Sequence, residues 1–186
     1  MEPIVNRVAE SEIEVLNLEA LWDGGEVEEF DLAPLLHLGL VLREKEFRHA
    51  VSEYDWAQFK GRHVALYCST EAIVPTWAYM YLVTRLEGIA ETVVVGRRED
   101  LLRDFFVLRL NEFDWSIYED RMVVVKGCAS DVVPPDAYLI ATRELQRRAR
   151  KIMYGEPCSA VPIWRRRANS ASSVVGARPA GTPDLT

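Results

Sequence analysis

The chain has 186 residues, 49% of them apolar, and a formal net charge of −7. This length and apolar content predict one domain with one core over residues 1–167. The negative charge argues against nonspecific nucleic-acid binding, and no apolar stretch is long enough to span a membrane. The N-terminus carries acids where a secretory signal needs basic and then apolar residues, so we expect a cytoplasmic protein.

The N-terminal region is less regular than the rest of the chain. It holds a predicted strand at residues 13–18, a turn at residues 23–25 and an apolar run, LAPLLHLGLVL, at residues 32–42. We expect this region to add an edge strand and a covering helix to a sheet.

The next segments alternate between helical and strand patterns. Residues 42–53 are typical of a helix, 62–67 of a strand, a second helix opens near Pro75 and ends before Gly88, and TVVV at 92–95 is a strand. Farther along, Leu102, Phe106, Leu110 and Phe113 fall on one helical face. MVVV at 122–125 is then a strand, and another helix opens near Pro134.

The order of these elements repeats, and so do the residues. At an offset of 59 positions, residues 42–96 match residues 101–155, and chance identity would give roughly three matches. The matched pairs are Leu42/Leu101, Phe47/Phe106, Glu53/Glu112, Asp55/Asp114, Trp56/Trp115, Arg62/Arg121, Val64/Val123, Val74/Val133, Pro75/Pro134, Ala78/Ala137, Tyr79/Tyr138, Leu86/Leu145 and Gly96/Gly155. The sequence therefore indicates an internally duplicated helix-strand-helix-strand unit.

The duplication decides how the basic segment 135–153 folds. Taken alone it is typical of one long helix, but KIMYG at 151–155 aligns with VVVG at 93–96. We therefore predict that the helix stops near Arg148 and that residues 151–154 form a fourth strand. The predicted fold is a single α/β domain with one mainly parallel sheet, joined by right-handed crossovers.

Each of the three cysteines follows one of these strands. Cys68, Cys128 and Cys158 begin similar loops, CSTEAIVP, CASDVVP and CSAVP. Because the carboxyl ends of parallel strands share one edge of a sheet, we expect the three thiols at that edge, where open α/β sheets bind ligands.

A set of three thiolates suits two kinds of centre. One is a zinc ion completed by water, and the other is a [4Fe–4S] cluster with one free iron. Two alternatives stand beside this hypothesis: cysteines that are buried apolar filler, and separate reactive thiols. With an odd number of cysteines in a cytoplasmic chain, disulfides are not expected.

Other candidate residues are weaker. Glu71 and Asp131 follow Cys68 and Cys128 by three residues, and either could be a base, a fourth ligand or a helix cap. His63 opens a strand, too far from Cys68 to share a metal with it, and Trp56 and Trp115 are predicted core anchors. No dinucleotide-binding, P-loop or zinc-protease motif is present.

The charged residues divide between two regions. Arg143, Arg147, Arg148, Arg150 and Lys151, with residues 165–167, form a basic cluster that could meet an acidic partner or an anionic ligand, or be solvated. Many acids lie in the first 60 residues, so this polarity could serve a homodimer. After Arg167 the sequence is small, polar and rich in Pro and Gly, which predicts a disordered tail over residues 168–186.

Four long motifs resemble a known bacterial family. They are LREKEFR at 42–48, DWAQFKGRHVALYCSTEAIVPTWAYM at 55–80, VVVKGCASDVVPPDAY at 123–138 and IMYGEPCSAVPIW at 152–164. In order and spacing they are similar to domain of unknown function 2480, over about residues 5–166.

The resemblance implies a cytoplasmic bacterial protein without an assigned activity. It also implies a cysteine at each position matching Cys68, Cys128 and Cys158, and an association with iron–sulfur assembly proteins. The leading hypothesis is thus a three-cysteine metal or iron–sulfur site. The competing hypotheses are a noncatalytic interaction or dimeric scaffold protein with structural cysteines, and a thiol enzyme with one activated cysteine.

Overall fold

Seven strands and four helices form an α/β fold, in a computed structural model that describes residues 13–127 and 130–167. The strands are β1 (Ile13–Asn17), β2 (Val27–Asp31), β3 (His63–Tyr67), β4 (Thr92–Val95), β5 (Met122–Lys126), β6 (Lys151–Tyr154) and β7 (Val161–Arg165). The helices are α1 (Glu44–Glu53), α2 (Thr76–Leu86), α3 (Arg98–Glu112) and α4 (Pro135–Arg148). Short 3-10 turns lie at Glu19–Leu21, Ala33–Leu35, Trp56–Phe59 and Trp115–Tyr118.

The strands form two sheets, so the prediction of one sheet is wrong. One sheet has the order β2-β3-β4 and is parallel throughout. The other has the order β1-β5-β6-β7, in which only β7 runs antiparallel to its neighbour. The physical reason is that β2 and β1 occupy the free edges of the central strands β3 and β5. Each central strand therefore already has two neighbours.

Most segments predicted from the repeat agree with the structure. The helix that precedes residue 149 ends at Arg148, and Lys151–Tyr154 is strand β6, as predicted. The predicted strand at 13–18 is the edge strand β1. The predicted covering helix is wrong, because the run at 32–42 forms only a 3-10 turn and a single bridge between His37 and Val41. Strands β2 and β7 were not predicted.

Three regions lie outside the described residues, residues 1–12, 128–129 and 168–186. They include the predicted tail, residues 168–186, and Cys128 with Ala129. In the part of the chain that is described, no helix is long and apolar enough to cross a membrane.

Each sheet has its own apolar core, and α3 contacts both sheets. The first core joins Phe47, Val51 and Leu82 to the strands of the three-stranded sheet, and the second joins Phe106 and Leu145 to β5 and β6. Helix α3 contributes to the second core and also contacts β3 and β4. Its buried residues are Leu101, Leu102, Phe105, Phe106 and Leu110. These cover more than one helical face, as expected of a helix buried from two sides.

The 3-10 turns that precede β3 and β5 have the same construction. Asp55 accepts a hydrogen bond from Ala57 N at 3.1 Å, and Asp114 accepts one from Ser116 N at 3.0 Å. The Trp56 indole donates to the Val51 carbonyl at 2.8 Å, as the Trp115 indole does to the Leu110 carbonyl at 3.0 Å. Each indole N–H thus donates a hydrogen bond to a carbonyl in the last turn of a helix, where no backbone N–H of the same helix is available to that carbonyl.

These indole bonds predict matched losses of stability. Trp56→Phe and Trp115→Phe should each lower the free energy of unfolding by about 1–3 kcal/mol, because a buried carbonyl loses its donor. Urea denaturation monitored by circular dichroism measures this. Ile117→Ala, an exposed change in the second turn, is the control and should cost less than about 0.5 kcal/mol. Equal effects of all three changes would contradict the assignment.

Candidate functional site

Cys68 lies directly after the central strand of the three-stranded sheet and is partly buried. Its Sγ is 3.3 Å from Thr70 Oγ1, and that hydroxyl donates to the Gly39 carbonyl at 2.7 Å. Since the hydroxyl hydrogen points to Gly39, the thiol is the donor to Thr70. These contacts tie the Cys68 side chain to the turn at Gly39.

Asp31 anchors the loop that begins at Cys68. Its carboxylate accepts hydrogen bonds from Ser69 N at 3.0 Å, Ser69 Oγ at 2.6 Å and Ala33 N at 3.0 Å. Partial burial disfavours the charged form, but these three hydrogen bonds outweigh it and lower the pKa of Asp31. Asp31 ends β2, so the loop is held against the neighbouring strand.

The N-terminus of α3 is clamped to the same end of this sheet. Glu29 accepts from Arg98 N at 2.8 Å and from the Arg97 guanidinium at 3.1 Å. A carboxylate is favourable here because it meets the positive end of the helix dipole. The Arg97 guanidinium also lies over the Tyr67 ring, 3.4 Å from its centroid. Tyr67 directly precedes Cys68, so Arg97 lies beside the Cys68 loop.

Arg98 extends this contact to the other half of the chain. Its guanidinium donates to the Asp131 carbonyl at 3.2 Å and approaches the Asp131 carboxylate at 3.9 Å. Asp131 belongs to the loop after β5, which also holds Cys128. Asp131, three residues after position 128, therefore lies beside the N-terminus of α3.

A second contact joins the loops that follow β5 and β6. Lys126 Nζ lies 3.4 Å from Glu156, and Gly155 N donates to the Val125 carbonyl at 3.1 Å. Glu156 precedes Cys158, which is exposed, by two residues. The loops of Cys68 and Cys158 and the described residues that flank Cys128 thus follow the carboxyl ends of strands in the two sheets, and Arg98 and Lys126 connect them.

Gly127 fixes the start of the loop that carries Cys128. Its φ is +125°, and an added Cβ would lie 2.8 Å from the Tyr138 hydroxyl. That hydroxyl donates to the Gly127 carbonyl. A side chain here would therefore meet both backbone strain and a clash.

The described residues do not by themselves form a metal site. Across residues 13–127 and 130–167, no group of three or more His, Cys, Asp or Glu side chains could hold a metal ion. The two acidic residues that could supply a fourth ligand, Glu71 and Asp131, are also not part of such a group. Glu71 is exposed, and the Asp131 side chain is 93% exposed and faces Arg98. A site of three thiols would include Cys128, which lies outside the described residues.

Sequence reasoning missed a buried polar cluster around His63. The ring is fully buried, with Nε2 3.1 Å from Asp23 Oδ1 and Nδ1 2.9 Å from Thr92 Oγ1. Trp22 and Phe105 lie against it, with ring centroids 4.8 and 5.6 Å away. Burial opposes ionisation of Asp23, but bonds from Gly25 N and His63 outweigh it, so the pKa of Asp23 is lowered.

This cluster lies at the start of β3 and β4, away from the cysteine loops. It lines a cavity of about 410 Å³ between α3 and the three-stranded sheet. Both ring nitrogens of His63 already have partners, so the histidine acts as an anchor for the turn at residues 22–25. The Asp23-Gly24-Gly25 turn is visible in the sequence, but no local pattern indicates that its partner is His63 in β3, 40 residues away.

Comparisons with known proteins identify one family. Residues 2–166 match the family model described as "Protein of unknown function (DUF2480)". A search of curated proteins found no match. A search of solved structures found none either.

The lowered pKa of Asp31 predicts a pH-dependent contribution to stability. Asp31→Asn should cost about 1–2 kcal/mol near pH 7, because charge-assisted hydrogen bonds to Ser69 and Ala33 weaken. The wild-type advantage should be complete above the unfolded-state pKa, near 4, and be lost as the pH falls through the lower folded-state pKa. Denaturation curves from pH 7 to 3 measure this.

Glu71→Gln is the matched control, because Glu71 is exposed in the same loop and forms no hydrogen bond within the described residues. It should change stability little at any of these pH values. An Asp31→Asn difference that grows as the pH falls would contradict the assigned role.

The tight contact at Gly25 yields a test of the His63 cluster. A Cβ at Gly25 would lie 2.4 Å from His63 Nε2. The ring cannot move without losing Asp23 or Thr92, so Gly25→Ala should cost about 1–3 kcal/mol. In a His63→Ala background the same change should cost much less, which urea denaturation of the four proteins would show. Equal costs in both backgrounds would contradict this packing.

Proposed function

We propose that this chain, which belongs to the DUF2480 family of proteins of unknown function, binds a metal ion or iron–sulfur cluster through Cys68, Cys128 and Cys158. The observation that carries the proposal is the meeting of their three loops at one end of the molecule. Arg97 lies over the Tyr67 ring beside the Cys68 loop, and Arg98 donates to the Asp131 carbonyl in the loop after β5. Lys126, at the end of β5, lies 3.4 Å from Glu156 in the loop after β6.

The chemistry of the ligands favours a soft or borderline metal. Three thiolates can hold zinc with one open position, or three irons of a [4Fe–4S] cluster with the fourth iron free. Binding would require the Cys68 proton to leave and its contact with Thr70 to be exchanged for a metal bond. Metal affinity should therefore rise with pH as the thiols lose their protons.

We also propose that residues 42–96 and 101–155 are duplicated units within one domain that spans residues 1–167. The matched Asp caps and indole bonds before β3 and β5 support this. So does the parallel order shared by β2-β3-β4 and β1-β5-β6. Duplication would explain why the strands β3 and β5 are each followed by a cysteine.

A second candidate function is that of an interaction or dimeric scaffold protein. Exposed apolar side chains at Leu38, Leu40 and Val41 favour it, together with Ile73, which is 91% exposed. Thr70 bonds to Gly39, so this apolar turn lies beside the Cys68 loop. A homodimer or an iron–sulfur assembly protein could cover it. The donor role of the Cys68 thiol gives no support to a thiol enzyme at that position.

Metal content tests the leading proposal. Protein purified without oxygen should carry zinc without colour, or iron with a broad absorption band, in near-stoichiometric amount. Cys68→Ser, Cys128→Ser and Cys158→Ser should each lose most of the metal. Elemental analysis and an absorption spectrum measure both quantities.

Ser159→Ala is the control, because it changes the exposed neighbour of Cys158 and should keep the metal. Metal-free wild-type protein, or metal retained in all three cysteine variants, would overturn the proposal. If the metal-free protein is also a dimer that Leu38→Asp dissociates, the scaffold function is favoured instead.

A further inference from the structure

A basic surface lies at the opposite end of the four-stranded sheet from the cysteine loops. One cavity of about 510 Å³ is lined by Asp120, Arg150, Arg165, Arg166 and Arg167. A neighbouring cavity of about 230 Å³ is lined by Met122, Arg150, Lys151 and Arg165. Both lie where β5 and β6 begin and the antiparallel β7 ends. We call this pair the arginine cavities.

The sheet itself brings the cations together. Lys151 of β6 is paired directly with Arg165 of β7, and Arg166 N donates to the Arg150 carbonyl at 2.9 Å. Like charges placed opposite each other on neighbouring strands destabilise a sheet. This pairing is electrostatically unfavourable, and a bound anion would stabilise it.

The protein supplies little of that negative charge. Asp120 is the acid among the described residues that line the cavities, and its carboxylate lies 3.6 Å from Arg166. Within residues 13–127 and 130–167, Lys151, Arg165 and Arg167 form no ion pair. Among the described residues, Lys151, Arg165, Arg166 and Arg167 thus have one carboxylate, that of Asp120, beside them in the cavities, in a chain whose net charge is −7.

We propose that the arginine cavities bind a small ligand that carries a diphosphate. Guanidinium groups match phosphate oxygens with paired hydrogen bonds. The two cavities share Arg150 and Arg165, so two linked phosphates can occupy both at once. The larger cavity has the volume of a small-molecule site. A long polyanion is disfavoured because the rest of the chain is acidic and would repel it.

Calorimetric titration of the full chain with inorganic pyrophosphate tests this site. Parallel titrations with ADP and with orthophosphate provide the comparison. Pyrophosphate should bind more tightly than orthophosphate. ADP that binds more tightly than pyrophosphate identifies a nucleotide as the source of the diphosphate, and equal affinities identify the free anion. No binding of either diphosphate near physiological salt would overturn the proposal.

Three variants distinguish a specific binding site from nonspecific electrostatic attraction. Arg165→Gln should weaken pyrophosphate binding by about tenfold, because it removes a charge-assisted hydrogen bond shared by both cavities. Asp120→Asn should tighten binding, since it removes the carboxylate; Asn tolerates the left-handed backbone at this position, where φ is +55°. Arg143→Gln, on the exposed face of α4, should change affinity less than twofold.

Equal losses in Arg165→Gln and Arg143→Gln would show only long-range electrostatics and overturn the proposal. Tighter binding of a single-stranded oligonucleotide than of either diphosphate, with the same dependence on Arg165, would also overturn it. The variants do not touch the cysteine loops, so failure here is independent of the metal proposal.

Discussion

Burial of α3 from two sides is the constraint on which the arrangement of the two sheets depends. Phe106 and Leu110 belong to the core beside β5 and β6, and other residues of the same helix contact β3 and β4. The helix begins where β4 ends, so its first residues lie at the carboxyl ends of the strands. Glu29 clamps that terminus, and Arg98 reaches from it to Asp131. One helix thereby brings the loops of two separate sheets to the same end.

The two ends of the strands carry different functional groups. Asp31 and the loops of Cys68 and Cys158 lie at the carboxyl ends of the parallel strands, which is where α/β proteins commonly bind ligands. The arginine cavities lie at the other end of the four-stranded sheet. The His63 cluster lies near the start of β3 and anchors the turn after β1 to β4.

Local patterns predicted the elements better than their assembly. The alignment of residues 151–155 with 93–96 correctly divided a basic segment into α4 and β6. The single sheet was wrong because β2, with polar Glu28 and Glu29 in its middle, gives little strand signal yet occupies an edge of β3. A clue was present in Leu101, Leu102, Phe105 and Phe106, whose spread around α3 requires apolar partners on two sides. Partners such as Asp23 and His63, 40 residues apart, have no local pattern.

The central claim is that α3 holds the Cys68 loop and the described part of the loop after β5 at one end of the molecule. Pulsed electron paramagnetic resonance between spin labels on Cys68 and on a cysteine introduced by Ser130→Cys, with Cys128 and Cys158 changed to Ser, tests it most directly. The account predicts a single narrow distance distribution that broadens when Arg98→Ala removes the contact to Asp131. A distribution that is already broad with Arg98 present, or one that Arg98→Ala leaves unchanged, would contradict the claim.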